Sequence, residues 1–279
     1  MSSKRRGLSL HIGVNQVDPG HYGGWDGALD SCENDADTMR DIAILRGFQA
    51  TQLKTREATR AAVSAAIRDA AAQLAPGDLF LLSYAGHGGQ LRDLDGDEQD
   101  RLDDTWILYD GHLLDDEFNL LFTAFKPGCR ILMLSDSCHS GTMLKGEHHD
   151  PQAGQRLMDD FDIPRLMPRQ AALQTADQQR AFYAGIQRAL PKPRPPVAAT
   201  VRLLSGCQEF ERSWGNKDTG RFTAAVKKVW AGGAFHGDYA SFHRAVVEEL
   251  KFAMNPQTPG HMVVGSPDPD FDRQSPFSI

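Results

Sequence analysis

Two unbroken apolar runs dominate the pattern of the chain, and each ends beside glycine in a reactive side chain. Leu79-Phe80-Leu81-Leu82-Ser83-Tyr84 leads into Ala85-Gly86-His87-Gly88-Gly89. Ile131-Leu132-Met133-Leu134 leads into Ser135-Asp136-Ser137-Cys138-His139-Ser140-Gly141. Continuous apolar runs of this length predict strands buried on both faces of a parallel sheet. Leu8 to Val14 predicts a first strand, Phe48 to Leu53 a second, Trp106 to Tyr109 a short one, Val201 to Leu204 another, and Met262 to Val264 a last one. Between them the apolar spacing becomes helical. A helix capped by Asp30 or Ser31 runs to about Leu45, with Gly47 just past its end. Thr55 to Leu74, alanine-rich and free of Gly and Pro, predicts a second helix. Asp115 to Phe125, Thr219 to Trp230 and Asp238 to Met254 predict three more. Val17 to Leu29 and the acidic stretch Leu91 to Asp104 read as loops.

This alternation of strands and helices predicts an α/β fold with a mostly parallel central sheet and helices on both faces. Residues 1–279 read as one domain, with no internal repeat. Segment 145–198 differs. It is polar, rich in Arg and Gln, and ends in Pro191-Lys192-Pro193-Arg194-Pro195-Pro196, so it is expected to be a mobile insertion within that domain, with an extended end.

Composition narrows the function classes. Hydrophobic residues make up 41% of the chain, enough for a sizeable core, and a formal net charge of -7 argues against a nucleic-acid partner. The apolar stretch after Lys4, Arg5 and Arg6 is short and interrupted by His11, so a strand suits it better than a signal peptide, and no run spans a membrane. Cys32, Cys129, Cys138 and Cys207 form no CxxC pair, which predicts reduced thiols and a cytoplasmic location.

The chemistry follows from the two strand ends. In open α/β sheets, ligands bind beyond the carboxyl ends of the strands. One end here offers an imidazole and the other a thiol, the combination needed for a cysteine nucleophile, Cys138, with a histidine base, His87. The flanking glycines allow close approach of a substrate backbone, and the N–H groups of Gly88 and Cys138 are candidates for an oxyanion hole. Cys129 and Cys207 lack that setting and read as packing residues, and His139 as a local hydrogen-bonder.

Tyr84-Ala85-Gly86-His87-Gly88 and Asp136-Ser137-Cys138-His139-Ser140-Gly141 resemble the motifs of metacaspases and their bacterial relatives, the orthocaspases. His87 and Cys138 are 51 residues apart, close to the spacing of about 50 in caspases. Cys32-Glu33-Asn34-Asp35-Ala36, Leu203-Leu204-Ser205-Gly206-Cys207-Gln208, Gly220-Arg221-Phe222-Thr223 and Gln257-Thr258-Pro259 resemble further landmarks of the family. Ala85 departs from it, since many relatives carry Ser there. The resemblance implies a caspase–hemoglobinase-like fold and hydrolysis of protein or peptide substrates after Arg or Lys. It matches Asp35 and Asp136 to carboxylates lining the specificity pocket, and Cys32 to a neighbouring cysteine. Two carboxylates can grip a guanidinium with paired hydrogen bonds and repel acidic side chains.

No cofactor is expected for the chemistry itself, while calcium is left open. Asp93-x-Asp95-x-Asp97 begins like an EF-hand loop, but Glu98 stands where Gly is needed and Asp104 replaces the twelfth-position Glu. The resemblance instead matches Asp103, Asp115 and Asp116 to metal ligands. A fourth acidic ligand is missing, since Lys145 stands near its place, with Glu147 as the substitute.

A specificity this broad suggests latency. Lys145, Arg156, Arg165, Arg169, Arg180, Arg188, Lys192 and Arg194 offer cleavage points for this enzyme or an activating protease. Cutting there is expected to rearrange the substrate groove. The alternatives are a catalytically silent interaction module and a calcium-binding regulatory protein.

Overall fold

The computed structural model describes residues 5–93, 102–138, 163–208, 211–251 and 257–279. The predicted strands and helices form with small shifts at their ends. Strand β1 (Gly7–Gly13) is followed by helix α1 (Cys32–Leu45), strand β2 (Gln49–Lys54), helix α2 (Arg60–Gln73) and strand β3 (Leu79–Ala85). Strands β4 (Gly88–Arg92), β5 (Leu102–Leu108) and β6 (Gly111–Leu114) come next, then α3 (Asp115–Phe122) and β7 (Arg130–Asp136). Beyond these lie β8 (Ile163–Pro164), α4 (Arg169–Gln178), α5 (Arg180–Ala189), β9 (Thr200–Ser205), β10 (Trp214–Gly215), α6 (Arg221–Trp230), α7 (Tyr239–Leu250), β11 (Gly260–Gly265) and α8 (Pro269–Arg273).

The central sheet has the order β11-β9-β7-β3-β1-β2, and only β11 runs antiparallel to its neighbour. The alternation along β3 explains its unbroken apolar run. Phe80, Leu82 and Tyr84 face one core with α2 and α3, while Leu79 and Leu81 face the other with α1, α6 and α7. The strand order reverses between β1 and β3, so the loops and helix ends after β1, β3 and β7 gather at one edge of the sheet. No helix among the described residues is long and apolar enough to cross a membrane.

Three expectations are corrected. Leu91 to Asp104 is not wholly a loop: Leu91 lies in β4 and Leu102 to Asp104 in β5, within a three-stranded antiparallel sheet β4-β5-β6. Ladder hydrogen bonds come from the main chain and tolerate the acidic side chains, and Gln90 donates to Asp104 across the pair at 2.9 Å. Helix α2 begins at Arg60 rather than Thr55, because the Thr59 hydroxyl accepts the Ala62 N–H and fixes the start there.

The third correction concerns segment 145–198. Residues 139–162, with Lys145 and Arg156, lie outside the described residues. From Ile163 onward the segment is built structure, not a mobile insertion. α5 buries Tyr183, Ala184 and Gln187 on one face. The Tyr183 hydroxyl bonds His21 at 2.6 Å and accepts the His112 N–H at 3.0 Å, and the Gln187 amide donates to the Arg92 carbonyl at 2.9 Å. Its polar composition reflects the outward face of this helix, while the buried positions three and four apart carry the contacts.

Candidate active site

The two strand ends are neighbours. β3 and β7 are paired in parallel with Ala85 opposite Asp136, and His87 and Cys138 each follow two residues later. Gly88 lies so close to the Cys138 carbonyl that a Cβ there would overlap its oxygen. The loop after β1 supplies the orienting group for the imidazole. His87 Nε2 donates to the Gly27 carbonyl at 3.2 Å, which leaves Nδ1 as the unprotonated ring nitrogen, and the Trp25 ring packs 4.9 Å from the imidazole. Nδ1 is buried with no hydrogen-bond partner among the described residues.

Burial, reinforced by the Arg165 charge, lowers the His87 pKa to about 3. The Cys138 thiol is fully buried. It accepts the Ser213 N–H at 2.9 Å and points its own S–H toward the Ser213 carbonyl at 3.4 Å. Burial, and then the adjacent Cys207 thiol, push Cys138 well above the usual thiol range. In this state both groups are therefore uncharged. No hydrogen bond between them is found among the described residues, a looseness common in resting sites.

A two-carboxylate pocket lies beside them. Asp35 projects from the first turn of α1, and Asp136 ends β7. Asn15, just beyond β1, accepts the Cys32 and Glu33 N–H groups at 2.8 and 3.2 Å, so the cap of α1 is made from outside the helix. Ser31 makes no capping bond, and its hydroxyl is free to face the pocket.

The pocket is filled by Arg165. Its Nη1 lies 3.1 Å from an Asp136 carboxylate oxygen and donates to the Asp136 carbonyl at 3.1 Å. Its Nη2 pairs with the Asp35 carboxylate and donates to the Ser31 hydroxyl at 3.0 Å. The carboxylates are held in turn by residues 213 to 223, around and after β10. Asp35 accepts the Gly220 N–H at 3.0 Å and the Thr219 hydroxyl at 2.7 Å. Asp136 accepts the Ser213 hydroxyl at 2.8 Å and the Thr223 N–H and hydroxyl at 3.0 and 2.7 Å. Gly220 forms a wall, since a Cβ there would stand 2.6 Å from Arg165 Cζ. Burial works against the charge of Arg165, but the Asp136 and Asp35 carboxylates outweigh it and keep the guanidinium protonated. Cys32, the first residue of α1, is buried and pushed up to about 12, chiefly by burial, and lies within the electrostatic reach of Arg165.

The main chain around Arg165 is equally fixed. Its carbonyl accepts both the Gly88 N–H at 3.0 Å and the Cys138 N–H at 3.1 Å. Its own N–H donates to the Ser213 carbonyl at 2.9 Å. The preceding β8 pairs antiparallel with β10, with Pro164 opposite Trp214 and Ile163 opposite Gly215. On the other side, Leu166 bridges to Gly88, and the Met167 N–H donates to the Gly88 carbonyl at 3.0 Å.

His87, Gly88, Cys138, Asp35, Asp136 and Cys32 thus converge at one edge of the sheet. The residues that sequence reasoning missed are Gly27, Ser31, Ser213, Thr219 and Gly220, together with the position of Arg165 inside the pocket. Only the landmark beginning at Gly220 and the glycine-rich loop before α1 carried any signal. Cys207, read as a packing residue, touches the Ser137 carbonyl at 3.6 Å and adjoins Cys138. His139 lies outside the described residues.

Asp103, Asp115 and Asp116 gather at a different place, around the start of α3. Burial, and then Asp116, Asp103 and Asp104, push Asp115 up to about 8. Arg194 pairs with Asp116, and the Gln187 amide donates to Asp103. Among the described residues no group of three or more His, Cys, Asp or Glu is arranged to hold a metal ion. Arg194 supplies a counter-charge to one of the three carboxylates.

Comparison with known proteins places these features in context. A family model described as a caspase domain matches residues 6–267. The chain is similar to a metacaspase-1 from Mycosarcoma maydis, at 34% identity over 258 residues, covering 81% of this chain and 61% of that protein. Across the metacaspases it matches, the chain spans about a third to three fifths of their length. A solved structure, protein GSU0716 from Geobacter sulfurreducens, is 44% identical with a TM-score of 0.86, covering 98% of this chain and 99% of that one. Caspase-1 from Spodoptera frugiperda shares the fold, with a TM-score of 0.58 at 13% identity over 94% of this chain and 89% of that one.

Proposed function

The chain belongs to the caspase-domain family, and we propose that it is a cysteine endopeptidase that cuts after Arg and, less well, after Lys. The observation that carries this reading is the placement of Arg165. Its guanidinium lies between Asp35 and Asp136 while its carbonyl oxygen accepts the N–H groups that flank the imidazole and the thiol. A residue bound in this way presents its carbonyl carbon where a substrate needs it.

In the reaction, Cys138 loses its proton to His87 and its sulfur attacks the substrate carbonyl carbon. The developing oxyanion takes hydrogen bonds from Gly88 and Cys138, donors that cost no reorganisation at that moment. His87 returns the proton to the leaving amine, and water then hydrolyses the thioester with His87 as base. The fork of two carboxylates favours the planar guanidinium, which reaches both, over a lysine ammonium, which is a point charge. An acidic side chain would meet two like charges. The acidic cluster at α3 has a counter-charge in Arg194, so a calcium requirement forms no part of this reading.

Fluorogenic peptides differing only at the residue before the cut test it, with Cys138→Ala as the blank. Arg peptides are expected to be cut about tenfold or more faster than Lys peptides, Asp peptides not at all, and a chelator to leave the rates unchanged. Release after Asp, or activity that persists in Cys138→Ala, overturns the assignment.

A further inference from the structure

A buried amide far along the chain holds the peptide that faces the thiol. We propose that Gln257 is a positioning residue for Cys138: it fixes the plane of the Ser213–Trp214 peptide, and that peptide aims the sulfur. The inference rests on the peptidase reading above and adds a residue to its machinery.

The main chain of one residue holds the sulfur from two sides. Cys138 accepts the Ser213 N–H at 2.9 Å and points its S–H to the Ser213 carbonyl at 3.4 Å. The Cys207 thiol beside it is a weaker partner. Ser213 itself stands just before β10, which is two residues long and too short to fix the direction of a peptide by itself. Gln257 supplies that hold. It is 2% exposed, and both ends of its amide are used. Its Oε1 accepts the Trp214 N–H at 3.2 Å. Its Nε2 donates to the Gly206 carbonyl at 2.8 Å and to the Ser213 hydroxyl at 3.4 Å. An N–H at one end and a carbonyl at the other decide which end of the amide is which.

The Trp214 N–H and the Ser213 carbonyl belong to one peptide unit. In a planar trans peptide they point in opposite directions. A bond that pins the N–H on one side therefore pins the carbonyl toward the sulfur on the other. Gly206 is a firm anchor for the amide, because it follows directly on β9 and its N–H donates to the Ser135 carbonyl of β7 at 2.8 Å. A Cβ on Gly206 would stand 2.8 Å from the Ser213 hydroxyl oxygen, so the three residues pack as one unit.

The effect belongs to the chemical step rather than to binding. Asp35 keeps Thr219 and Gly220 as donors if the peptide turns, and Asp136 keeps Thr223. The pocket thus holds its guanidinium while the sulfur loses its direction. Thr258 separates aiming from anchoring. It ties the same stretch of chain to Glu211, with its hydroxyl 2.8 Å from the carboxylate, and not to the 213–214 peptide.

The test compares the full chain as wild type, Gln257→Met, Gln257→Glu and Thr258→Ala by steady-state kinetics on an Arg fluorogenic peptide, with a melting curve for each. Gln257→Met keeps the length but neither donor nor acceptor. It is expected to lower kcat about 100-fold, the scale of a misplacement near 1 Å, with KM within about threefold of wild type. Gln257→Glu keeps the acceptor for Trp214, and burial favours the protonated acid that can donate to Gly206. It is expected to recover at least about tenfold of the lost kcat. Thr258→Ala is expected to lower the melting temperature and keep kcat within about threefold of wild type. A Gln257→Met with wild-type kcat, a loss confined to KM, a Gln257→Glu no faster than Gln257→Met, or a Thr258→Ala as slow as Gln257→Met overturns the inference and leaves the peptidase reading standing. Failure of both Gln257 variants to fold also overturns it, since Gln257 then serves the fold. A wild type that hydrolyses no peptide overturns the peptidase reading instead.

Discussion

At the scale of single residues, the two-carboxylate pocket depends on one charge-sharing arrangement. Asp35 and Asp136 are each tied down by main-chain and hydroxyl donors, so their oxygens are aimed before any guanidinium arrives. Replacing Asp35 by Asn removes one charge and turns one acceptor toward Nη2 into a donor. Losing one partner of a buried, hydrogen-bonded ion pair costs about 3–5 kcal/mol. Asp35→Asn is therefore expected to lower kcat/KM for an Arg peptide by about 100-fold or more and to narrow the preference for Arg over Lys. Steady-state kinetics on both peptides check this, and an unchanged ratio would remove Asp35 from the pocket. His87, Cys138, Asp35 and Asp136 could be singled out because motif and chemistry coincide at them. Ser213 could not, since its contribution is a main-chain N–H, a carbonyl and a hydroxyl at a bend, and no spacing in the sequence announces it.

At the scale of elements, the site is assembled from strand ends and short linking strands, and the pocket wall is a helix start. Gly220 precedes α6 and packs directly against the guanidinium. A methyl group there must displace either Arg165 or the Asp136 carboxylate. Gly220→Ala is expected to cost about 100-fold in kcat/KM for Arg peptides, the scale of a misplacement near 1 Å, and to lower the melting temperature as well, since overpacking a buried site costs about 1–3 kcal/mol. Kinetics paired with a melting curve separate the two effects, and full activity would move the wall elsewhere. Long strands and alanine-rich helices were legible because their periodicity is averaged over many residues. β8 and β10 were not, because each is two residues long and exists only through its partner. α5 was hidden for a different reason: its outward face outweighs its buried one in composition.

At the scale of the whole molecule, two apolar cores clasp a sheet that also buries histidines. His11 bonds the Ser83 and Ser9 hydroxyls at 2.8 and 2.9 Å, and His112 bonds the Thr105 hydroxyl at 2.8 Å. Burial lowers His11, His87 and His112 from 6.5 to about 3. The unfolded chain takes up these protons as the pH drops below about 6.5, whereas the folded chain resists until about 3. Stability is thus complete above 6.5 and declines through that window, by about 1.4 kcal/mol per pH unit for each histidine. Asp115, raised to about 8, opposes the trend because its folded form holds a proton that the unfolded form has released. Burial also lowers His21 and His261 and raises Asp35, so five histidines against two carboxyls predict a net loss on acidification. The melting temperature of the Cys138→Ala protein is expected to fall between pH 7 and pH 5, and less steeply with His11→Gln added. A flat profile would contradict neutral buried imidazoles.

The amino-acid sequence by itself determined the sheet, its two covered faces, and the strand ends that carry the imidazole and the thiol. It could do so because apolar periodicity and glycine placement act over short stretches of chain. Tertiary structure alone decided what fills the cleft. The carbonyl of Arg165 meets donors from residues 88 and 138, and its guanidinium meets carboxylates from residues 35 and 136. Those partners lie far apart along the chain, and each hydrogen bond depends on distance and direction in space, which a linear pattern of residues does not record.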